Sequence, residues 1–122
     1  MSSSPAELSI VIPTFNESAN LRELVERIRA ALPSVSWEIV FVDDNSPDGT
    51  AQVARQLYDD EPRVRCIRRV GRRGLSSACI EGMLSTSAPF VAVMDADLQH
   101  DPQVLAKMLE VLRPDAADLV VG

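Results

Sequence analysis

Two short apolar runs of this chain stop at acid pairs, and their lack of alternation constrains the fold more than any other feature. Trp37 to Val42 is β-branched and aromatic and ends at Asp43-Asp44, just before the turn sequence Asn45-Ser46-Pro47-Asp48-Gly49. Phe90 to Met94 ends at Asp95-Ala96-Asp97-Leu98-Gln99-His100. A strand with one wet face alternates apolar and polar residues. A continuous apolar strand is covered on both faces, which is the habit of parallel sheets. Open parallel sheets hold ligands outside the carboxyl ends of their strands, so two acidic strand ends predict one shared crevice.

The spacing of the second cluster has its own chemistry. Carboxylates at i and i+2, as in Asp95 and Asp97, repel each other and resist burial unless a positive group joins them. A divalent cation bridging to a phosphate is the natural partner, because hard cations take oxygen ligands and keep substrate phosphates in their shell. The plain alternative is a solvated loop with an Asx turn. Around the first cluster, Asp48 reads as a helix cap with Ser46 competing for that role, Asp43 as a turn residue, and Asp44 as a member of the site.

Helical patterns separate the strands. Leu8 to Ile12 reads as a strand broken at Pro13, and Asn16 to Leu32 as a helix with Leu21, Leu24, Val25, Ile28 and Leu32 at helical spacing. Asn16 or Ser18 would cap it. Gly49 to Tyr58 is a second helix, Val64 to Ile67 a third strand and Leu75 to Leu84 a third helix. Phe90 to Met94 is the fourth strand, and Pro102 to Leu112 a helix with Pro at its favoured first position. Leu119 to Val121 begins a fifth strand. The expected fold is α/β, a mostly parallel sheet flanked by helices, formed by residues 8–122 after a flexible terminus at 1–7.

At 122 residues the chain suits one domain with a real core, and its 46% hydrophobic and 25% charged content is that of a globular protein. A net charge of -6 argues against a general nucleic-acid binder. Half of the twelve Lys and Arg lie at Arg63, Arg65, Arg68, Arg69, Arg72 and Arg73, a stretch without an acid. Arg63 and Arg65 read as a solvated strand edge, whereas Arg72 and Arg73 are candidates to face a phosphate or a partner. Cys66 and Cys79 are far apart and read as buried free thiols of a reducing compartment. No leader pattern is visible, and no apolar run approaches the roughly 20 residues that cross a bilayer, so the expected location is cytoplasmic.

The chain resembles the nucleotide-binding half of family 2 glycosyltransferases of the GT-A fold. Within them it is most similar to the dolichyl- or polyprenyl-phosphate mannosyltransferases. The matching segments are Val11 to Glu17, Val42 to Thr50, Gly74 to Ala78, Met94 to His100 and Asp118 to Gly122, in order and over nearly the whole chain. The resemblance implies that Pro13, Phe15 and Glu17 line the base and ribose end of a nucleotide pocket. Phe15 stands where the family often has Tyr. It implies that Val42 and Asp44 hold the base, that Asp95, Ala96 and Asp97 meet ribose, diphosphate and sugar, and that Asp97 and Gln99 hold Mg²⁺ or Mn²⁺. Asp95 and Asp97 are then the catalytic carboxylates. His100 is as well explained as a loop or packing residue.

The implied reaction moves a hexose from a nucleotide sugar, GDP-mannose or else UDP-glucose, onto a polyprenyl or dolichyl phosphate, with inversion and at a membrane surface. A lipid monophosphate, with a second pKa of about 6, is already anionic near neutral pH and needs no general base. Resembling enzymes continue past the final Val-Val-Gly with a basic residue and an acceptor-binding region. The expectation is therefore a domain truncated at its C-terminus that binds donor and transfers sugar slowly, with an open sheet edge near Leu119 to Gly122. Two rival readings are a non-catalytic nucleotide-sugar-binding module and a Mg²⁺-binding receiver domain. The receiver reading is disfavoured because the acid pair follows the second strand and the only lysine, Lys107, falls within a helix.

Overall fold

The computed structural model describes residues 6–16, 18–44, 46–69, 75–96, 103–107 and 119–121. Five strands form one sheet: β1 (Leu8–Thr14), β2 (Trp37–Asp43), β3 (Val64–Arg68), β4 (Phe90–Val93) and β5 (Leu119–Val121). Their order is β3-β2-β1-β4-β5 and every neighbouring pair is parallel. Among the described residues α1 (Leu21–Ala31), α2 (Thr50–Asp60) and α3 (Leu75–Leu84) connect the first four strands. β3 and β5 are the edges of the sheet among the described residues.

The period of two sends successive strand residues to opposite faces. Ile10, Ile12, Ile39 and Phe41 pack with Leu21, Leu24, Val25 and Ile28 of α1 and with Ala54 and Leu57 of α2. Leu105, in a helical stretch at 103–107, joins the same core. Val11, Val40 and Val42 face the other way and pack with Ala78 of α3. Both faces of the central strands are buried, which is why their sequences do not alternate. Fully burying each of these aliphatic side chains contributes about 1.5–3 kcal/mol.

Gly82 lets α3 lie flat on the second face. A Cβ built there would stand 2.3 Å from Val11 Cγ1 and 3.1 Å from Val42 Cγ2, so only a glycine admits this approach.

Several boundaries differ from the sequence expectations. β1 does not break at Pro13 but runs to Thr14. The pairing of β1 with β4 ends at Val11 and Val93, so the N–H that Pro13 lacks points past the end of that ladder and costs nothing. α1 starts at Leu21 rather than Asn16, because Asn16 has a positive φ of 57°, which no helix can pass through. Its N-cap position is Asn20, not Asn16 or Ser18, and the Asn20 side chain makes no capping bond.

Arg63 and Arg65 are more engaged than a solvated edge requires. Arg63 is exposed, but its guanidinium lies 3.7 Å over the buried Trp37 ring and pairs with Glu61. Arg65 is half-buried, bonded to the Glu38 carboxylate and to the Ser85 carbonyl. Cys66 and Cys79 are free and half-buried, and burial, with the nearby Asp43 charge, pushes the Cys66 thiol up to about 11.

Candidate functional site

β1 pairs with β2 on one side and β4 on the other, so the strand order reverses at β1. The first two connections, α1 and α2, pack on one face, and α3 crosses the other face beneath β1 and β2 before the chain enters β4. A crevice opens outside the carboxyl ends where such a reversal occurs. Here it is bordered by Pro13 to Asn16 at the end of β1, Asp43 and Asp44 at the end of β2, Arg69 just after β3 and Met94 to Ala96 after β4.

Asp43 builds the floor. It closes β2, is fully buried, and its carboxylate accepts from Thr14 Oγ1 at 3.0 Å, Ser46 N at 2.9 Å and Ser46 Oγ at 2.6 Å. Ser46 Oγ in turn accepts from the Asn16 main-chain N–H at 2.8 Å. Asp43 is therefore not a simple turn residue but the junction of the loops after β1 and β2. Ser46 serves this junction rather than capping α2. Asp48 does receive the first N–H of α2, from Thr50 at 3.0 Å, while Gly49 at φ 86° occupies the formal cap position. Asp48 also accepts from Ser18 N and Oγ, at 3.2 and 2.9 Å. Desolvation works against ionising its carboxyl, but the bonds from Thr50 and Ser18 outweigh it and hold the group below its usual range.

Asp44 sits higher, half-buried at the rim. Its Oδ1 accepts from Arg69 Nε at 2.6 Å. Arg69 has no exposed surface, and its Nη1 donates to Ser77 Oγ and to Glu81 Oε2, both at 2.8 Å. Its main-chain N–H donates to the Asp43 carbonyl at 2.7 Å. The two acids, Asp44 first, raise the basicity of the guanidinium and keep it ionised. Sequence reasoning missed Arg69 as a member of the site. The available signal was its position directly after β3, at the carboxyl edge where acids also gather.

The other predicted residues fall as follows. Pro13 is half-buried and Phe15 is 44% exposed at the crevice mouth. Val42 is fully buried against α3, so its side chain belongs to the core and only its main chain borders the crevice. Ala96 is buried, and its carbonyl accepts from Asn20 Nδ2 at 3.2 Å, which ties the start of α1 to the loop after β4. Asp95 is exposed in that loop, near enough to Cys79 of α3 to help burial raise its thiol. Glu17, Asp97, Gln99, His100, Arg72 and Arg73 lie outside the described residues.

Among the described residues no group of three or more His, Cys, Asp or Glu is placed to hold a metal. The donor chemistry nevertheless fits a hard cation. Asp95 offers carboxylate oxygen at the solvent-open end of β4, and the sequence continues with the oxygen donors Asp97 and Gln99. A cavity of about 590 Å³ lies at the opposite end of the sheet, among Trp37, Glu38, Arg63, Arg65 and Thr86. Its arginines are already matched by Glu61 and Glu38, so it offers no uncompensated charge to a ligand.

A parallel sheet of this order with acids at its carboxyl ends is an open α/β domain with an acidic crevice, and the match to known proteins makes the class specific. The chain belongs to glycosyl transferase family 2, whose family model matches residues 9–122. It is 46% identical over 116 residues to a dolichol-phosphate mannosyltransferase of Pyrococcus furiosus, covering 95% of this chain and 32% of that protein. It is 37% identical over 116 residues to the dolichol-phosphate mannosyltransferase of Saccharomyces cerevisiae, covering 93% and 43%. The fold is of the GT-A type, as expected. A mannosyltransferase from Pyrobaculum calidifontis, solved in complex with GDP-Man and Mn²⁺, superposes with a TM-score of 0.73 at 24% identity, over 91% of this chain and 33% of that one. The chain thus spans about a third to two-fifths of the length of these relatives.

Proposed function

We propose that residues 8–122 form the donor-binding domain of a metal-dependent, inverting glycosyltransferase. The transferred group is a hexose, mannose from GDP-mannose, and the acceptor is a polyprenyl or dolichyl phosphate. The observation that carries this reading is the gathering of Asp43, Asp44, Arg69 and Asp95 at the carboxyl ends of β2, β3 and β4, around the reversal at β1. The similarity to dolichol-phosphate mannosyltransferases supports the sugar and the lipid, and the neighbour solved with GDP-Man and Mn²⁺ supports the donor and the cation.

Each residue has a part. Pro13, Phe15 and Glu17 border the base and ribose, with Phe15 offering a packing surface. Val42 contributes main chain and Asp44 accepts hydrogen bonds from the ring N–H groups of the base. Asp95, Ala96 and Asp97 meet ribose, diphosphate and sugar. Asp97 and Gln99 would hold Mg²⁺ or Mn²⁺, which supplies positive charge to offset that developing on the departing diphosphate. The acceptor phosphate oxygen attacks the anomeric carbon as the bond to the diphosphate breaks, and configuration inverts. An acceptor already anionic needs no protein base. Its lipid chain places the reaction at a membrane surface, on the cytoplasmic side. Among the described residues no helix is long and apolar enough to cross a membrane.

The test is calorimetric titration of the 122-residue chain with GDP and UDP, with and without Mn²⁺, followed by transfer of labelled mannose from GDP-mannose to polyprenyl phosphate. Metal-dependent nucleotide binding with GDP preferred is the expected result. Failure to bind either nucleotide in the presence of Mn²⁺ overturns the reading. Binding without any transfer, even by a chain extended to the length of the relatives, leaves a non-catalytic binding module in its place.

A further inference from the structure

We propose that Arg69 is a positioning residue for base selection: fixed on α3 by Glu81 and Ser77, its guanidinium holds the Asp44 carboxylate in a single orientation at the crevice rim. The inference rests on the reading of Asp44 as the acceptor of base N–H groups.

The geometry separates two ends of one side chain. Nε takes Asp44 at 2.6 Å, while Nη1 takes Ser77 and Glu81 at 2.8 Å each. The main chain of Arg69 is pinned as well, through its N–H to the Asp43 carbonyl at 2.7 Å. A planar guanidinium held on one edge and at its backbone cannot swing, so the bond it makes at the other edge fixes its partner. Asp44 remains 16% exposed and Glu81 30%, whereas Arg69 is fully enclosed. The arginine is thus beyond the reach of a ligand, and the aspartate is within it.

Orientation matters more for one base than for another. A carboxylate has about four acceptor positions, and Arg69 occupies one of those on Oδ1. Guanine presents two adjacent donors, N1–H and N2–H, which meet both oxygens of one carboxylate only in one plane. Uracil presents a single N3–H, which a tilted carboxylate still accepts. An Asp44 released from Arg69 therefore loses guanine affinity first. Base preference then depends on Glu81, a residue of α3 placed behind the buried arginine.

The experiment is titration of GDP and UDP, with Mn²⁺ present, into the wild-type chain, Asp44→Asn, Arg69→Lys and Glu81→Gln, with thermal unfolding of each. Arg69→Lys keeps the charge but loses the two-edged fork. It is expected to weaken GDP about tenfold and UDP less than about threefold. Glu81→Gln, at a partly exposed position, shifts the GDP-to-UDP ratio the same way by a smaller factor, and carries the test alone if Arg69→Lys fails to fold. Equal losses for both nucleotides, or no loss in either variant while Asp44→Asn impairs binding, overturn the positioning role and leave Asp44 in place. Unchanged binding in Asp44→Asn overturns the reading of Asp44 itself, and this inference with it.

Discussion

Thr14 Oγ1, at the end of β1, donates to the buried carboxylate of Asp43, at the end of β2, across 3.0 Å. The same carboxylate receives the Ser46 hydroxyl and N–H, and through Ser46 it reaches the left-handed Asn16. One acid therefore ties together the loops that border the crevice after β1 and β2. Asp44, its neighbour in sequence, points to a different task beside Arg69.

This division predicts opposite phenotypes for adjacent residues. Asp43→Ala strands the Thr14 hydroxyl and the Ser46 N–H in a buried site and is expected to cost on the order of 2–4 kcal/mol of stability. Asp44→Ala leaves the loops standing and is expected to lower nucleotide affinity more than stability. Urea unfolding beside nucleotide titration separates the two. An Asp43→Ala chain as stable as the wild type contradicts the junction.

Gly82 gives a second stability prediction. Alanine is the better helix former by about 1 kcal/mol, but its Cβ would fall 2.3 Å from Val11 Cγ1. Gly82→Ala should force α3 off the sheet and destabilise by about 1–3 kcal/mol. A raised urea midpoint in that variant would mean that α3 is seated more loosely than described.

Glu61 sets the acid response. The hydrogen bond from Arg63, with added attraction from Arg63 and Arg29 against some desolvation, lowers its carboxyl from 4.5 to about 2. A carboxyl depressed in the folded state stabilises fully above its ordinary value and loses that contribution as pH falls from 4.5 toward 2. The side chains of Arg63 and Arg29 are 42% and 41% exposed, so solvent screening holds the effect to the order of 1 kcal/mol. Wild type should lose stability between pH 5 and pH 2 by that much more than Glu61→Gln, measured by urea unfolding at each end of the range (about one carboxyl's worth of linkage).

The metal assignment is tested at Asp97. Asp97→Asn keeps the shape but removes a charged donor, and is expected to weaken Mn²⁺-dependent nucleotide binding about tenfold or more. Asp48→Asn is the comparison, because Asp48 is occupied by Ser18 and Thr50. Its nucleotide affinity should stay within about threefold of wild type. Equal Mn²⁺-dependent affinities in wild type and Asp97→Asn would remove Asp97 from the metal site.

The parallel sheet, its covered faces and the acidic carboxyl ends were legible in the chain itself. Burial on both faces writes a continuous apolar run, and a run that stops at acids marks the strand end that borders the crevice. Trp37 to Val42 before Asp43 and Phe90 to Met94 before Asp95 carry that information locally, as do the helical spacings of Leu21, Leu24 and Ile28. The start of α1 was not legible, because Asn16 and Ser18 are good caps by residue type and only the turn toward Ser46 makes Asn16 left-handed. Nor were the separate fates of Asp43 and Asp44, two identical side chains in succession. The pleat turns one inward to Thr14 and leaves the other at the rim, where Arg69, just past β3 and 25 residues on, meets it. Pairing between residues so distant depends on which strands become neighbours, and the order β3-β2-β1-β4-β5 is settled only when the helices choose their faces of the sheet.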